Sequence, residues 1–254
     1  MPVNSKKIFP IYPKSIEKKY LNLLFKRVRL QYLFIGFLLK NEITIIKDAK
    51  KQEVTKKSKL NIKVAEKAFE KKEPAQKNEK KINELANEID KHASKQLQKQ
   101  IDSLSVSKKN GIPQISTDIS KKMSKKFVDE NISLIKSLDK RFFDDIEAVI
   151  SESVKIGRST KATAKLLQER YHVSKSRAEL IAVDQISKLN GLITQQKQQE
   201  IGIKKYEWGT AGDERVRPTH RQNDGKTFSW SKPPKTGHPG QDIRCRCVAL
   251  PIFD

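Results

Sequence analysis

The sequence predicts an α+β protein, mainly helical through its N-terminal and central regions and closed by a small module of strands and turns. Three observations carry this. Apolar residues recur at steps of three and four from Ile16 to Ile46, from Ile82 to Leu104 and from Ile132 to Ile150. That periodicity stops at Gly202, after which Gly, Pro, Trp and Thr become frequent. Between Lys205 and Phe253 short strands and turns are expected, with Asp224-Gly225 a turn signal among them.

The first helix carries Ile16, Tyr20, Leu23, Leu24, Val28, Tyr32, Ile35 and Leu39, with Pro13 and Ser15 suited to its start. Its most apolar run, Leu30 to Leu39, lies between Arg29 and Lys40. That is about half of the ~20 residues a membrane span needs. It reads as a buried or partner-facing helix, and no membrane partner is expected. Lys6 and Lys7 are followed by Pro10 and Pro13 with no apolar run and cleavage site, so no secretory leader is expected.

From Lys47 to Lys81 the chain is Lys-rich and poor in apolar residues, either a solvated helix or a disordered linker, and Pro74 interrupts it. Ile82, Leu85, Ile89, Ala93, Leu97, Ile101 and Leu104 then form one amphipathic stripe. Residues 108–126 hold Gly111, Pro113 and several hydroxyl residues and read as a linker. The organisation expected is therefore a basic helical region over 1–107, the linker 108–126, and a domain over 127–254. Within that domain, helices are expected over 127–203 and a strand and turn module over 204–254.

In the first of these helices Ile132, Ile135, Leu138, Phe142, Ile146, Val149 and Ile150 share a stripe, and Gly157 is placed to end it. Thr160 is expected to cap a short helix through Tyr171. Ser174 is expected to cap another, from Arg177 to Ile201, which Gly202 closes.

The net charge is +23, from 53 Lys and Arg against 30 Asp and Glu. Residues 1–126 carry 31 basic and 13 acidic residues, so the excess sits in the first half. Such a field suits a polyanion met through its phosphates, although a Lys-rich solubilising segment has the same composition. The hydrophobic fraction of 36% is below the usual ~45–50%, so part of the chain is expected to lie outside a packed core.

Chemistry concentrates in the last fifty residues. Cys245 and Cys247 are the two cysteines, too few for a disulfide framework, and a reducing compartment is expected. On a strand, residues two apart share a face, so the thiols would point one way and Arg244 and Arg246 the other. Two such thiolates suit Zn2+, and His220 and His238 can complete a tetrahedral set, although the spacing matches no common finger pattern. The alternative is two small hydrophobes on a core strand beside turn-holding histidines.

A second chemical reading takes His220, Asn223, Asp224 and His238 as a metal-dependent nuclease site, and a generic DNA-binding protein is a third. Phosphate-cradling loops and nucleophile elbows are absent from the sequence. Asp213, Arg215, Arg217 and Asp224 are expected as a surface ion-pair and turn network, and Trp208 and Trp230 as packing residues.

The ordered series resembles the phage Mu F-like family of minor head proteins, the phage head morphogenesis proteins. It runs through Ile132–Gly157, Gln168-Glu169-Arg170-Tyr171-His172-Val173-Ser174, Arg177-Ala178, Ile181-Ala182 and Asp184-Gln185. It continues through Trp208, Arg215-Val216-Arg217-Pro218-Thr219-His220, Asp224-Gly225-Lys226-Thr227-Phe228, His238-Pro239-Gly240 and Cys245-Arg246-Cys247. The resemblance covers about residues 130–250. It implies a structural role rather than catalysis: a minor capsid protein inside the head, assembled in the host cytoplasm. Its implied partners are the portal protein, other head proteins and double-stranded DNA. It also implies ion binding at His220, His238, Cys245 and Cys247.

Overall fold

The computed structural model describes residues 8–46, 51–103 and 115–253. Among these residues five long helices precede the sheet: α1 (Lys14–Ile46), α2 (Lys51–Lys72), α3 (Glu79–Asp102), α4 (Lys121–Lys155) and α5 (Thr160–Glu200). Then come β1 (Lys205–Gly209), the single turn α6 (Pro218–Arg221), β2 (Thr227–Ser229) and β3 (Val248–Pro251). The α+β architecture read from the sequence is the one observed.

Pro74 breaks the Lys-rich stretch as expected, and a short 3-10 turn, Ala75–Asn78, leads into α3. The stripe of α3 from Ile82 to Ile101 is buried, while Leu104, Gly111 and Pro113 lie outside the described residues. The last residues of the expected linker, from Lys121, already belong to α4, whose first turn Ser120 caps through Oγ to the Met123 N–H at 3.2 Å.

Both glycine stops are Schellman motifs. At Gly157 (φ 65) the Arg158 N–H reaches Ser153 O, and at Gly202 (φ 83) the Ile203 N–H reaches Gln198 O. The two helices expected over 160–201 are instead one. Neither Gly nor Pro interrupts the stretch before Gly191, Ser174 is buried rather than capping, and the cap is Ser159, one residue ahead of Thr160.

The chain forms two compact units. One collects Lys19–Lys81 and Val128–Ala182. Its core joins Ile35 of α1, Ile62, Ala65 and Phe69 of α2, and Phe142, Phe143, Ile146 and Ile150 of α4. The rings of Phe34, Phe69, Phe143 and Phe142 follow one another at 5.6–5.7 Å. Arg27 is buried here and forks onto Asp139, to which Gln31 also donates, while burial pushes the Asp139 carboxyl up against that pairing.

The other unit collects Met1–Lys18, Ile82–Phe127 and Val183–Asp254, and it holds the sheet. The strands run antiparallel in the order β2-β1-β3, with Tyr206 opposite both Phe228 and Pro251 and Trp208 opposite Ala249. Tyr206 and Trp208, two apart on β1, are both buried, as strand alternation requires. They pack with Trp230, Cys245, Cys247 and Ala249. Gln198 of α5 ties this layer to the helix, donating to Ala249 O at 3.0 Å and accepting from Trp230 Nε1 at 3.1 Å. Among the described residues no helix is long and apolar enough to cross a membrane.

Candidate metal centre at His220, Cys245 and Cys247

The centre is assembled by short, tightly hydrogen-bonded backbone rather than by strands. Pro218 opens α6 at a position where a missing N–H costs nothing, and the turn delivers a buried His220. The cysteines precede β3. Cys245 N–H bonds Asp242 O at 3.0 Å, closing a turn in which Arg244 takes the left-handed φ of 56. That conformation is held by the Arg244 N–H on Asp184 Oδ1 of α5, at 3.3 Å. The expectation that both thiols face one way holds, but irregular backbone, not a strand, achieves it.

His220 Nδ1 lies 3.5 Å from Cys245 Sγ and 3.5 Å from Cys247 Sγ. All three ligand atoms fall within 4.8 Å of one another, and all three residues are buried. Gly240 N–H donates to Cys245 Sγ at 3.4 Å. Cys247 also donates to Cys245, and this bond chiefly holds the Cys245 thiol down at about 6. Giving that bond pushes the Cys247 thiol up. On its other side His220 Nε2 is 3.2 Å from Asp242 Oδ2, near enough for charge pairing but off the line of a hydrogen bond. Asp242 is itself anchored by Arg217 at 3.1 Å.

His238, the fourth residue expected from the sequence, is buried in an adjoining aromatic box. Its Nδ1 is 2.8 Å from Tyr206 Oη, and its ring lies 4.9 Å from that of Trp230 and 5.5 Å from that of Tyr206. Burial holds the imidazole below its usual range, opposed by a hydrogen bond to the Trp230 backbone. The structure thus brings His220, Cys245 and Cys247 together and gives His238 other partners.

The remaining expected residues serve the backbone. Asn223 donates to Thr236 Oγ1 at 2.9 Å, and Asp224 accepts from the Thr210 N–H at 2.8 Å. Asp213 takes Arg215 at 3.0 Å and Arg246 at 2.6 Å, so the surface network expected around it includes Arg246 as well. Sequence reasoning missed Asp242, Asp184 and Gly191. The last had a signal, a glycine inside a helical stripe: a Cβ there would stand 2.5 Å from Pro239 O.

Two thiols and an imidazole buried together are a group that could hold a metal ion. With Zn–S of about 2.3 Å and Zn–N of about 2.0–2.1 Å in a tetrahedron, the N···S edge is about 3.6 Å, which the two 3.5 Å separations match. A backbone N–H on one sulfur is an outer contact of the kind that orients such ligands.

Residues 144–250 match the family model described as phage Mu protein F like protein. Over this stretch the chain is similar to that family. It is the family that the ordered motifs resembled, and the match takes in His220, His238, Cys245 and Cys247 together with all of α5. An uncharacterized protein of Haemophilus influenzae is 41% identical over 125 residues, which is 49% of this chain and 28% of that protein. The chain thus spans little more than a quarter of that relative's length. No solved structure matches.

Proposed function

We propose that this chain is a minor head protein of a tailed phage or prophage, acting in head morphogenesis at the portal vertex. The Mu F-like match over residues 144–250 is the observation that carries this reading. The basic first half supports a further contact with packaged double-stranded DNA, because each phosphate neutralised releases a counterion. Delivery of DNA from the head belongs to the same proposal.

The reading includes a zinc ion held by His220 Nδ1, Cys245 Sγ and Cys247 Sγ. The separations, the burial and the Gly240 N–H on Cys245 support it. Such an ion would supply a cross-link between α6 and the segment entering β3, stiffening a module with a small apolar core. Three ligands from this chain leave the fourth tetrahedral position to water or to another head protein.

Quantitative mass spectrometry of purified particles, with peptide counts set against the portal and the major shell protein, tests the role. The expected result is this chain inside heads at portal-like abundance or lower. Its absence from mature particles and from assembly intermediates alike would overturn the reading.

A further inference from the structure

The apolar side of α1 that builds the core is buried at Tyr20, Leu24, Val28 and Ile35. A second seam runs along the same helix at the alternating three- and four-residue steps of a coiled-coil stripe: Leu23, Lys26, Leu30, Leu33, Phe37. Its apolar end faces solvent, with Leu30 37%, Leu33 55% and Phe37 66% exposed. Gly36 beside it has nothing within 4 Å of where a Cβ would stand, so the backbone is open to close approach. Three large side chains in register on an otherwise satisfied helix are an interaction surface rather than scattered apolar residues.

The charge around the seam says what covers it. Lys26 and Arg29 are exposed at its N-terminal end. Among the described side chains of α1 the one carboxylate, Glu17, lies about 160° round the helix from Leu33 at ~100° per residue. Glu17 is also engaged by the Tyr12 hydroxyl at 2.8 Å. A second copy laid parallel on this face would set Lys26 and Arg29 against their like, and one laid antiparallel would offer them Leu33 and Phe37 and no carboxylate among the described side chains of the seam. A membrane calls for a wide apolar face, and the wide face of α1 is already in the core. A narrow seam with a cationic flank fits a helix that brings its own leucines and carboxylates.

The geometry points to Leu30, Leu33 and Phe37, flanked by Lys26 and Arg29, as the docking seam for an acidic amphipathic helix of another protein.

The test uses the full chain and a fluorescein-labelled helical peptide of four heptads, with Leu at the seam positions and Glu beside them. Its control is a scrambled peptide of the same composition. Anisotropy is expected to show saturable binding of the first peptide alone. Leu33→Asp and Phe37→Asp each weaken it at least tenfold, and Lys26→Glu with Arg29→Glu weakens it severalfold at low salt. Leu192→Asp, exposed elsewhere on α5, leaves it unchanged. Circular dichroism melts of every variant separate lost binding from lost folding. No binding, equal binding of the scrambled peptide, or indifference to Leu33→Asp and Phe37→Asp in folded protein would overturn the proposal. So would two other outcomes: flotation with phosphatidylserine vesicles that Leu33→Asp abolishes, or a dimer in sedimentation velocity that the same change dissolves.

Discussion

Lys197 Nζ lies 2.8 Å from Asp90 Oδ1, joining α5 to α3 in an ion pair whose side chains are 4% and 1% exposed. Lys197 also donates to Ser116 O at 2.6 Å, and Ser94 Oγ meets the same carbonyl at 3.1 Å. The pair therefore fastens the segment leading to α4 onto two helices. Removing one charge strands the other in the interior. Asp90→Leu and Lys197→Met are each expected to cost about 3–5 kcal/mol, while the two together cost far less. Urea unfolding of the four proteins of the double-mutant cycle measures this. Additive losses would show that the two residues do not act as a unit.

Gly191 faces Gly240 across the contact between α5 and the turn after His238. A Cβ on Gly191 would stand 2.5 Å from Pro239 O and 3.3 Å from Gly240 Cα, and one on Gly240 would stand 2.7 Å from Ser187 O. In a helix interior Gly→Ala normally gains about 1 kcal/mol. Here the backbone clash wins, and Gly191→Ala is expected to destabilise by about 2 kcal/mol. Gly36→Ala, with open space around it, is expected to stabilise by about 1 kcal/mol. Opposite shifts in urea midpoint are the check. Shifts of the same sign would mean that the contact at Pro239 yields.

Helices, stops and the strand and turn module were legible because each depends on local chemistry. The stripes of Ile82–Ile101 and Ile135–Ile150 and the caps Gly157 and Gly202 can be read from neighbours along the chain. The split expected near Ser174 failed because a serine suits a cap and a helix interior alike, and only tertiary burial decides between them. The site divided the same way. His220, Cys245 and Cys247 announced themselves by residue type, whereas Asp242 behind His220 and Asp184 beneath Arg244 depend on which loop meets which helix. Interleaved units were not legible, since α1, α3, α4 and α5 each supply residues to both.

Zinc, if held as proposed, makes stability depend on metal. The purified full chain is expected to carry about one zinc by elemental analysis, and a chelator is expected to lower its melting temperature. Cys245→Ser and His220→Ala reduce the stoichiometry to near zero, because two remaining donors hold the ion poorly. His238→Ala is expected to keep the metal while losing about 2 kcal/mol, since it empties a packed box and leaves the Tyr206 hydroxyl unpaired. A His238→Ala protein without zinc would instead make His238 the fourth ligand, and wild type without zinc would remove the metal altogether.

Tyr20 gives the stability an alkaline limb. Its ring is fully buried on α1, and its hydroxyl donates to Asn131 Oδ1 of α4 at 2.5 Å. Burial pushes this phenol well above its ordinary value, because the phenolate would have to form away from water. In the unfolded chain the same group ionises near pH 10. Above that pH the unfolded state sheds a proton that the folded state still holds, so stability falls as pH rises. The contribution is thus fully present below about pH 10 and fades above it. Tyr20→Phe loses the hydrogen bond and is expected to be about 1 kcal/mol less stable at pH 8. Its stability should nevertheless decline less steeply across the alkaline range than that of wild type. Lysine deprotonation relieves the repulsion within the +23 chain equally in both proteins, so the difference between the two curves isolates the phenol. Urea midpoints measured in half-unit steps from pH 8 upward are the readout. Parallel curves would mean that Tyr20 ionises as freely in the folded protein as in the unfolded chain.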